Sequence, residues 1–279
     1  MKNFNRKWLY NKTVVITGAS GGLGFSLAKY LINKFDCKII GVARNKEKME
    51  KTIPALGEKQ SNFSYYLFDV SVKENWQKFK DDLCKDGVKI DVLINNAGFM
   101  LPFKKFEDIS TDEIDEIIAT NFISDVYAVK QLLPLLKQSE TPAIINISSV
   151  VGIFPLCGES MYCATKFAIK GFTECLYTDY RKQIYVGGVY PGFMKTDILR
   201  RTATSEKTKR LLDKLMMPPE KAAKKICKGM KKRKYRMIIG LDARFMNFCA
   251  KFFPKTSPLF IKKILKISNV DVFNQLFKD

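Results

Sequence analysis

Seven short apolar runs, separated by longer stretches whose apolar residues recur at helical spacing, constrain this chain more than any other feature. They are Val14-Val15-Ile16, Ile39 to Val42, Phe63 to Phe68, Val92-Leu93-Ile94, Ala143 to Ile147, Tyr185 to Val189 and Arg236 to Ile239. Near-continuous apolar strands, without in–out alternation, belong to sheets covered on both faces. Such strands alternating with helices make a doubly wound parallel α/β sheet. The first helix is expected from about Phe25 to Ile32. Ser71 with Glu74, and Ser110 with Glu113, have capping-box spacing where two others should begin. After Pro218-Pro219 a helix runs to about Met230, with Ala223, Ile226, Cys227 and Met230 on one face.

A length of 279 residues suits one large domain, and no repeat or Pro/Ser-rich linker divides it. Residues 1–240 read as the sheet domain, with a substrate lid at about 193–217. Residues 241–279 read as a basic, amphipathic C-terminal extension. The net charge of +20 is unevenly spread: residues 221–279 hold sixteen Lys or Arg against Asp242, Asp271 and Asp279, which places +13 there. Seven scattered cysteines without a C-x-x-C pair read as reduced thiols. Met1 to Asn11 is too polar for a signal peptide, and no stretch approaches the ~20 apolar residues of a membrane span. A cytoplasmic protein is expected, at most lying on a membrane surface.

Thr17-Gly18-Ala19-Ser20-Gly21-Gly22-Leu23-Gly24 follows the first strand and opens the first helix. Glycines there let the backbone approach a pyrophosphate, whose charge the helix N-terminus favours. Gly18, Ser20, Gly22, Leu23 and Gly24 are therefore candidate cofactor contacts. The segment also satisfies the G-x-S-x-G of serine hydrolases. That mechanism requires a histidine base, and the sequence has no histidine. The second strand ends Val42-Ala43-Arg44-Asn45, where an NAD site usually places a carboxylate for the ribose 2′-hydroxyl. Arg44 suits a 2′-phosphate instead, which favours NADP(H) over NAD(H). Asp69, ending the third strand, stands where a side chain could accept from the adenine amine.

Tyr162 and Lys166 are four residues apart, on one helix face, so an ammonium near the phenol should lower its pKa. Ser149 ends the Ala143 to Ile147 strand, and the tops of strands in such sheets are where ligands bind. The whole set, over roughly Lys12 to Asp197, resembles the short-chain dehydrogenase/reductase family, in an NADP-preferring form. Thr17-Gly18-x-x-x-Gly22-x-Gly24 is similar to its cofactor turn, Asp69-Val70 to its adenine contact, and Asn95-Asn96-Ala97-Gly98 to its sheet-stabilising motif. Asn121 is similar to its structural and proton-relay asparagine. Ser149, Tyr162 and Lys166 are similar to its catalytic serine, tyrosine and lysine, and Pro191-Gly192 with Thr196 to the segment beside the nicotinamide. The extra basic residue that some NADP-preferring members carry inside the glycine turn is absent.

The resemblance implies a single-domain Rossmann-type fold and an NADP(H)-dependent oxidoreductase that interconverts a carbonyl and a hydroxyl. Hydride transfer is the cofactor's chemistry. The resemblance assigns proton transfer to Tyr162, stabilisation of the reacting oxygen to Ser149, and both Tyr162 activation and ribose binding to Lys166. Asn121 anchors a relay water, Asn95 joins the cofactor contacts, and no metal is required. A dinucleotide-sensing binding protein without chemistry is the alternative; it would be expected to lose Tyr162 or Lys166, which are present here.

Residues following the strand tops are mostly apolar: Phe99-Met100-Leu101, Val150-Val151, Ile153 to Leu156, Phe193-Met194 and Ile198-Leu199. They suit a hydrophobic small molecule around one polar reacting group, such as a lipid ketone, a steroid-like compound or a fatty aldehyde. About half are expected to pack in the core instead. Beyond Gly240, bulky apolar residues interleave with lysines, and Pro254 and Pro258 are expected to break the segment into pieces. Two readings stay open for it: peripheral contact with an anionic membrane, or packing over the pocket or at a subunit contact of a homo-oligomer. No nucleic-acid recognition element is visible, so a nucleic-acid partner is not expected.

Overall fold

The computed structural model describes residues 7–195 and 216–267, together with Val270, Phe273, Leu276 and Phe277. Its strands are the seven apolar runs: β1 (Thr13–Thr17), β2 (Lys38–Ala43), β3 (Phe63–Leu67), β4 (Val92–Asn95), β5 (Ala143–Ile147), β6 (Tyr185–Pro191) and β7 (Arg236–Ile239). All neighbouring pairs are parallel, in the order β3-β2-β1-β4-β5-β6-β7. The chain runs outward from β1 to β3, then returns to β4 on the other side of β1. That reversal opens a crevice beyond the carboxyl ends of β1 and β4, where ligands bind in such sheets.

Helices cover both faces because successive strand residues point to opposite sides. Val14 and Ile16 join one core with α1 (Gly22–Phe35) and α7 (Pro219–Lys231), through Leu27, Leu31, Ala223 and Ile226. Val15 joins the other core with α3 (Lys73–Lys85), α5 (Ser124–Leu136) and α6 (Ser160–Tyr180), through Trp76, Phe79, Leu132 and Leu176. Ala223, Ile226, Cys227 and Met230 are all at 0% exposure, the face expected of them. Two shorter helices are α2 (Lys46–Thr52), whose Met49 joins the first core, and α4 (Thr111–Ile118), which packs against α6.

The Ser110–Glu113 capping box forms, with the Ser110 hydroxyl accepting from the Glu113 amide at 3.3 Å and the Glu113 carboxylate accepting from the Ser110 amide at 2.9 Å. The Ser71–Glu74 box does not. Val72 occupies the cap of α3, and the Ser71 amide and hydroxyl both donate to Asp69 Oδ1, at 2.9 and 2.7 Å. A carboxylate within two residues outcompetes the helix end for that serine. The first helix is also longer than expected, reaching Phe35 before Asp36 ends it in a left-handed conformation.

The segment beyond Gly240 forms α8 (Leu241–Phe252) and α9 (Thr256–Ile267). Pro254 lies between them, as expected. Pro258 does not break the chain: it sits in the first turn of α9, where an amide would have no helical partner to lose. Ala243 and Met246 pack into a third apolar cluster with Phe103, Val151, Phe154 and Leu156. None of the described helices is long and apolar enough to cross a membrane. All seven cysteines are free.

Candidate active site

The glycine turn lies in the crevice the topology predicts. Gly18 and Gly22 have φ of +67° and +52°, a region that side chains disfavour. Thr17 Oγ1 accepts from the amides of Asn96 and Ala97, at 2.8 and 2.9 Å, which ties the ends of β1 and β4 together. Gly18, Ser20, Gly22 and Leu23 line the cleft, and with them Asn96, Ala97 and Gly98. Gly24 has a different reason to be glycine. A Cβ there would collide with the Gly18 carbonyl, so it permits α1 to pack close to β1 and is not a cleft residue.

Asn95, expected both in a sheet-stabilising motif and among the cofactor contacts, is placed by the structure within the sheet. It pairs in register with Asn146, its Nδ2 donates to Asn146 Oδ1 at 2.9 Å, and it is 1% exposed. It fastens β4 to β5, while the next three residues face the cleft.

Arg44 and Asp69 line the far end of the crevice with Val42, Phe68 and Val70. Burial raises the Asp69 pKa, but the Ser71 hydrogen bonds and the Arg44 charge outweigh it, so the carboxyl sits below its ordinary range. Arg44 itself is largely solvent-exposed and lies 4.0 Å from Glu116. Lys48, from α2, was not foreseen. It lines both halves of the crevice, and its Cε and Nζ lie 2.9 and 3.3 Å from where a Gly21 Cβ would be. A cation missing from the glycine turn is thus supplied from a neighbouring helix. The glycine cradle, the N-terminus of α1 behind it and these two cations fit a dinucleotide with its phosphates.

At the other end, Ser149 and Tyr162 share a cavity lined by Met100, Phe103, Val150, Val151, Leu156 and Phe193. Tyr162 and Met194 border both this cavity and the dinucleotide cleft, and Lys166 lines the cleft. Of the anticipated apolar lining, Phe154 is instead fully buried core, and Ile198 and Leu199 lie outside the described residues. Pro191 and Gly192 line the cavity; Thr196 and most of the expected lid also lie outside the described residues. The two ends of that segment are joined, with the Lys195 amide donating to the Met217 carbonyl and the Met217 amide to the Phe193 carbonyl, each at 3.0 Å. Asp242 of α8 accepts from the Phe193 amide at 2.7 Å, so the extension helps to build the cavity wall.

The electrostatics of the pair differ from the simple expectation. Burial pushes the Tyr162 pKa up, Glu159 adds to this once it is ionised, and a hydrogen bond with Ser149 acts in the opposite sense. Lys166 Nζ lies 5.7 Å from the centre of the Tyr162 ring and donates to the Ile147 carbonyl at 3.2 Å. Burial lowers its pKa, and the charge of Asp125 opposes this. Asp125, on α5 and 2% exposed, is pushed up by burial and held down by Lys166 and a Ser124 hydrogen bond. In this structure the charge that acts on Lys166 is that of Asp125, and burial favours the protonated form of the phenol.

Asn121 sits in a π-helical turn, Ala119–Ile123, an irregularity often kept for function. Its Oδ1 accepts from the Phe99 amide at 2.8 Å, and its Nδ2 donates to the Phe99 carbonyl at 2.7 Å and to Thr165 Oγ1 at 3.4 Å. It therefore clamps the loop after β4 to α6, beside Lys166.

Glu159, just before α6, was also missed by the motif reading. It is 3% exposed and lines the cavity, and burial pushes its pKa up to about 9 from 4.5. Between about pH 5 and 9 the folded chain thus holds a proton that the unfolded chain has lost, so this group's contribution to stability falls as pH rises. The Tm of the native protein should drop more between pH 6 and 9 than that of Glu159→Gln. Parallel thermal scans check this, and equal drops would contradict the buried neutral acid.

A parallel sheet with a glycine cradle and a phenol at its crevice defines a dinucleotide-dependent oxidoreductase. The family model for short chain dehydrogenase matches residues 12–207, and the chain belongs to this family. It is 32% identical over 191 residues to an NADP-dependent 3-hydroxy acid dehydrogenase of Schizosaccharomyces pombe, covering 68% of this chain and 74% of the relative. It is 26% identical over 270 residues to the oxidoreductase YxnA of Bacillus subtilis, covering 93% and 74%. The fold matches a short-chain dehydrogenase/reductase of Burkholderia phymatum in complex with NAD, with TM-score 0.73, 21% identity, and 82% and 89% coverage.

Proposed function

We propose that this oxidoreductase reduces a carbonyl on a hydrophobic substrate with NADPH, at a site formed by Ser149, Tyr162 and Lys166. The observation that carries the reading is the placement of Tyr162 on the boundary between the apolar cavity and the dinucleotide cleft. The bound cofactor supplies the hydride. Gly18, Ser20, Gly22 and Leu23 would hold its pyrophosphate side, and Pro191 and Gly192 would lie at its nicotinamide end. Ser149 donates to the reacting oxygen and stabilises the charge that develops there. Tyr162, held protonated by burial, delivers the proton to the same oxygen. Lys166 places positive charge beneath the phenol ring as the phenolate forms, and Asn121 holds the neighbouring loop in position. The test is NADPH oxidation over a panel of hydrophobic ketones and aldehydes, with and without lipid vesicles. Oxidation of NADPH with none of them overturns the substrate class.

Arg44 and Lys48 support the preference for NADP(H). A 2′-phosphate between two cations gains charge-assisted hydrogen bonds that a 2′-hydroxyl lacks. NADPH is expected to bind more tightly than NADH, and Arg44→Ala to erase most of the difference, with Lys48→Ala removing part of the remainder. Dissociation constants for both cofactors check this; tighter binding of NADH by the native protein refutes it.

The extension supports a place at an anionic membrane surface. Nine of the thirteen large apolar side chains exposed among the described residues lie beyond Gly240, among them Phe245, Phe248, Phe252, Leu259 and Phe260. Lysines 251, 255, 262, 263 and 266 accompany them, all exposed. A groove lined by Lys228, Lys232, Lys234, Arg236 and Arg244 continues the positive surface from the β7 edge to Leu241. Apolar bulk ringed by cations matches an interfacial helix pair on anionic lipid.

A further inference from the structure

The apolar cavity beside Tyr162 holds one carboxyl group that the reduction scheme does not use. Glu159 is buried to 3% exposure, and its Oε1 has no hydrogen-bond partner among the described residues. The fold does not explain this side chain. The backbone of Glu159 starts α6, its carbonyl accepting from the Cys163 amide at 2.7 Å, and any residue can make that bond. Its side chain makes no capping bond to the helix. The cavity around it is otherwise lined by Met100, Phe103, Val150, Val151, Leu156 and Phe193, with Ser149 and Tyr162 as the reacting polar groups. A buried polar atom left unpaired is costly unless a ligand completes it.

We propose that Glu159 is a second substrate-recognition point, hydrogen-bonding an uncharged oxygen that lies a few bonds from the reacting carbonyl. The substrate class is then an apolar hydroxyketone or dicarbonyl, in preference to a simple ketone. This rests on the placement of the reacting carbonyl at Ser149 and Tyr162. Glu159, the cap residue of α6, and Tyr162, in the first turn of that helix, line the same cavity. One small molecule therefore spans both. A carboxyl that burial keeps protonated both donates and accepts, which suits a neutral hydroxyl or carbonyl oxygen. A site that hydrogen-bonds a substrate group discriminates strongly against the analogue lacking it, because its own polar atom is left unpaired.

The experiment compares a hydrophobic ketone with its counterpart bearing a neighbouring hydroxyl, in the native protein, Glu159→Gln and Glu159→Leu. The readout is the ratio of kcat/KM between the two substrates, not the activity on either. The native ratio is expected to favour the hydroxyketone about 10-fold or more. Glu159→Gln, which still donates and accepts, should keep most of that ratio, and Glu159→Leu should bring it near one. Calorimetric binding of the matching diol and mono-alcohol to the NADPH-loaded proteins makes the same comparison without turnover. A native ratio near one in both measurements, or one unchanged in Glu159→Leu, overturns the proposal. Preferential, Glu159-dependent binding of the diol with no reduction of either ketone overturns the reaction assignment and leaves the recognition role standing.

Discussion

Tyr162→Phe lowers kcat for carbonyl reduction on the order of 100-fold or more and leaves the dissociation constant for NADPH near its native value. The substitution removes the proton that Tyr162 is proposed to deliver and keeps the ring. The ring packs between the cavity and the dinucleotide cleft, so its shape, and the contact with Lys166, are preserved. Ser149 loses a hydrogen-bond partner in the variant but still donates to the substrate oxygen. The two effects are separable by fluorescence titration with NADPH beside steady-state kinetics on the best ketone. Near-native turnover in the variant would remove Tyr162 from the proton path. A large loss of NADPH affinity would show instead that the residue is needed to shape the cofactor site.

Full-length protein co-sediments with vesicles of anionic phospholipid, less with neutral vesicles, and less again at high salt. A Lys or Arg near such a surface contributes about 1 kcal/mol. Lys263→Glu with Lys266→Glu should therefore weaken binding by roughly 30-fold or more, since about 2 kcal/mol is lost before repulsion is counted. Phe248→Ser with Phe252→Ser tests the apolar part separately; these rings are 52% and 56% exposed, so the core does not depend on them. Removing everything after Gly240 would be a poor test. Asp242 holds the Phe193 amide, and Ala243 and Met246 fill the cluster beneath the cavity, so truncation would damage the site itself. Full-length protein that ignores anionic vesicles at low salt, or a dimer dissociated by the phenylalanine variant, would assign the exposed face to a subunit contact.

The strand runs, the glycine turn and the Tyr162–Lys166 spacing were legible because each depends on local chemistry. A run such as Val14-Val15-Ile16 can be satisfied only by burial on both sides, and its neighbours in the sheet need not be known to say so. The backbone at Gly18 is set by its own turn. Packing on the protein accounts for only part of the C-terminal segment. One face of α8 packs beneath the cavity through Ala243 and Met246, while Phe245 and Phe248 face outward. Helical periodicity marks an apolar face without naming what covers it.

Tertiary structure decided what depends on partners distant in sequence. Asn95 fastens β4 to β5 through Asn146, 51 residues away, and Gly24 leaves room for Asn96 as well as for the Gly18 carbonyl. Lys48 reaches the crevice only because α2 folds back over the glycine turn. The ionisation of the site was the least legible of all. Spacing along a helix says that Lys166 can approach Tyr162, but a pKa depends on burial and on every nearby charge. Here Asp125, from α5, acts on Lys166, and burial outweighs the hydrogen bond from Ser149 at the phenol. The sequence by itself determined the sheet, the cradle and the candidate side chains of the site, because these follow from short-range sterics and from burying apolar surface. Which of those side chains are charged, and which groups surround them, followed only from the packing of residues far apart in the chain.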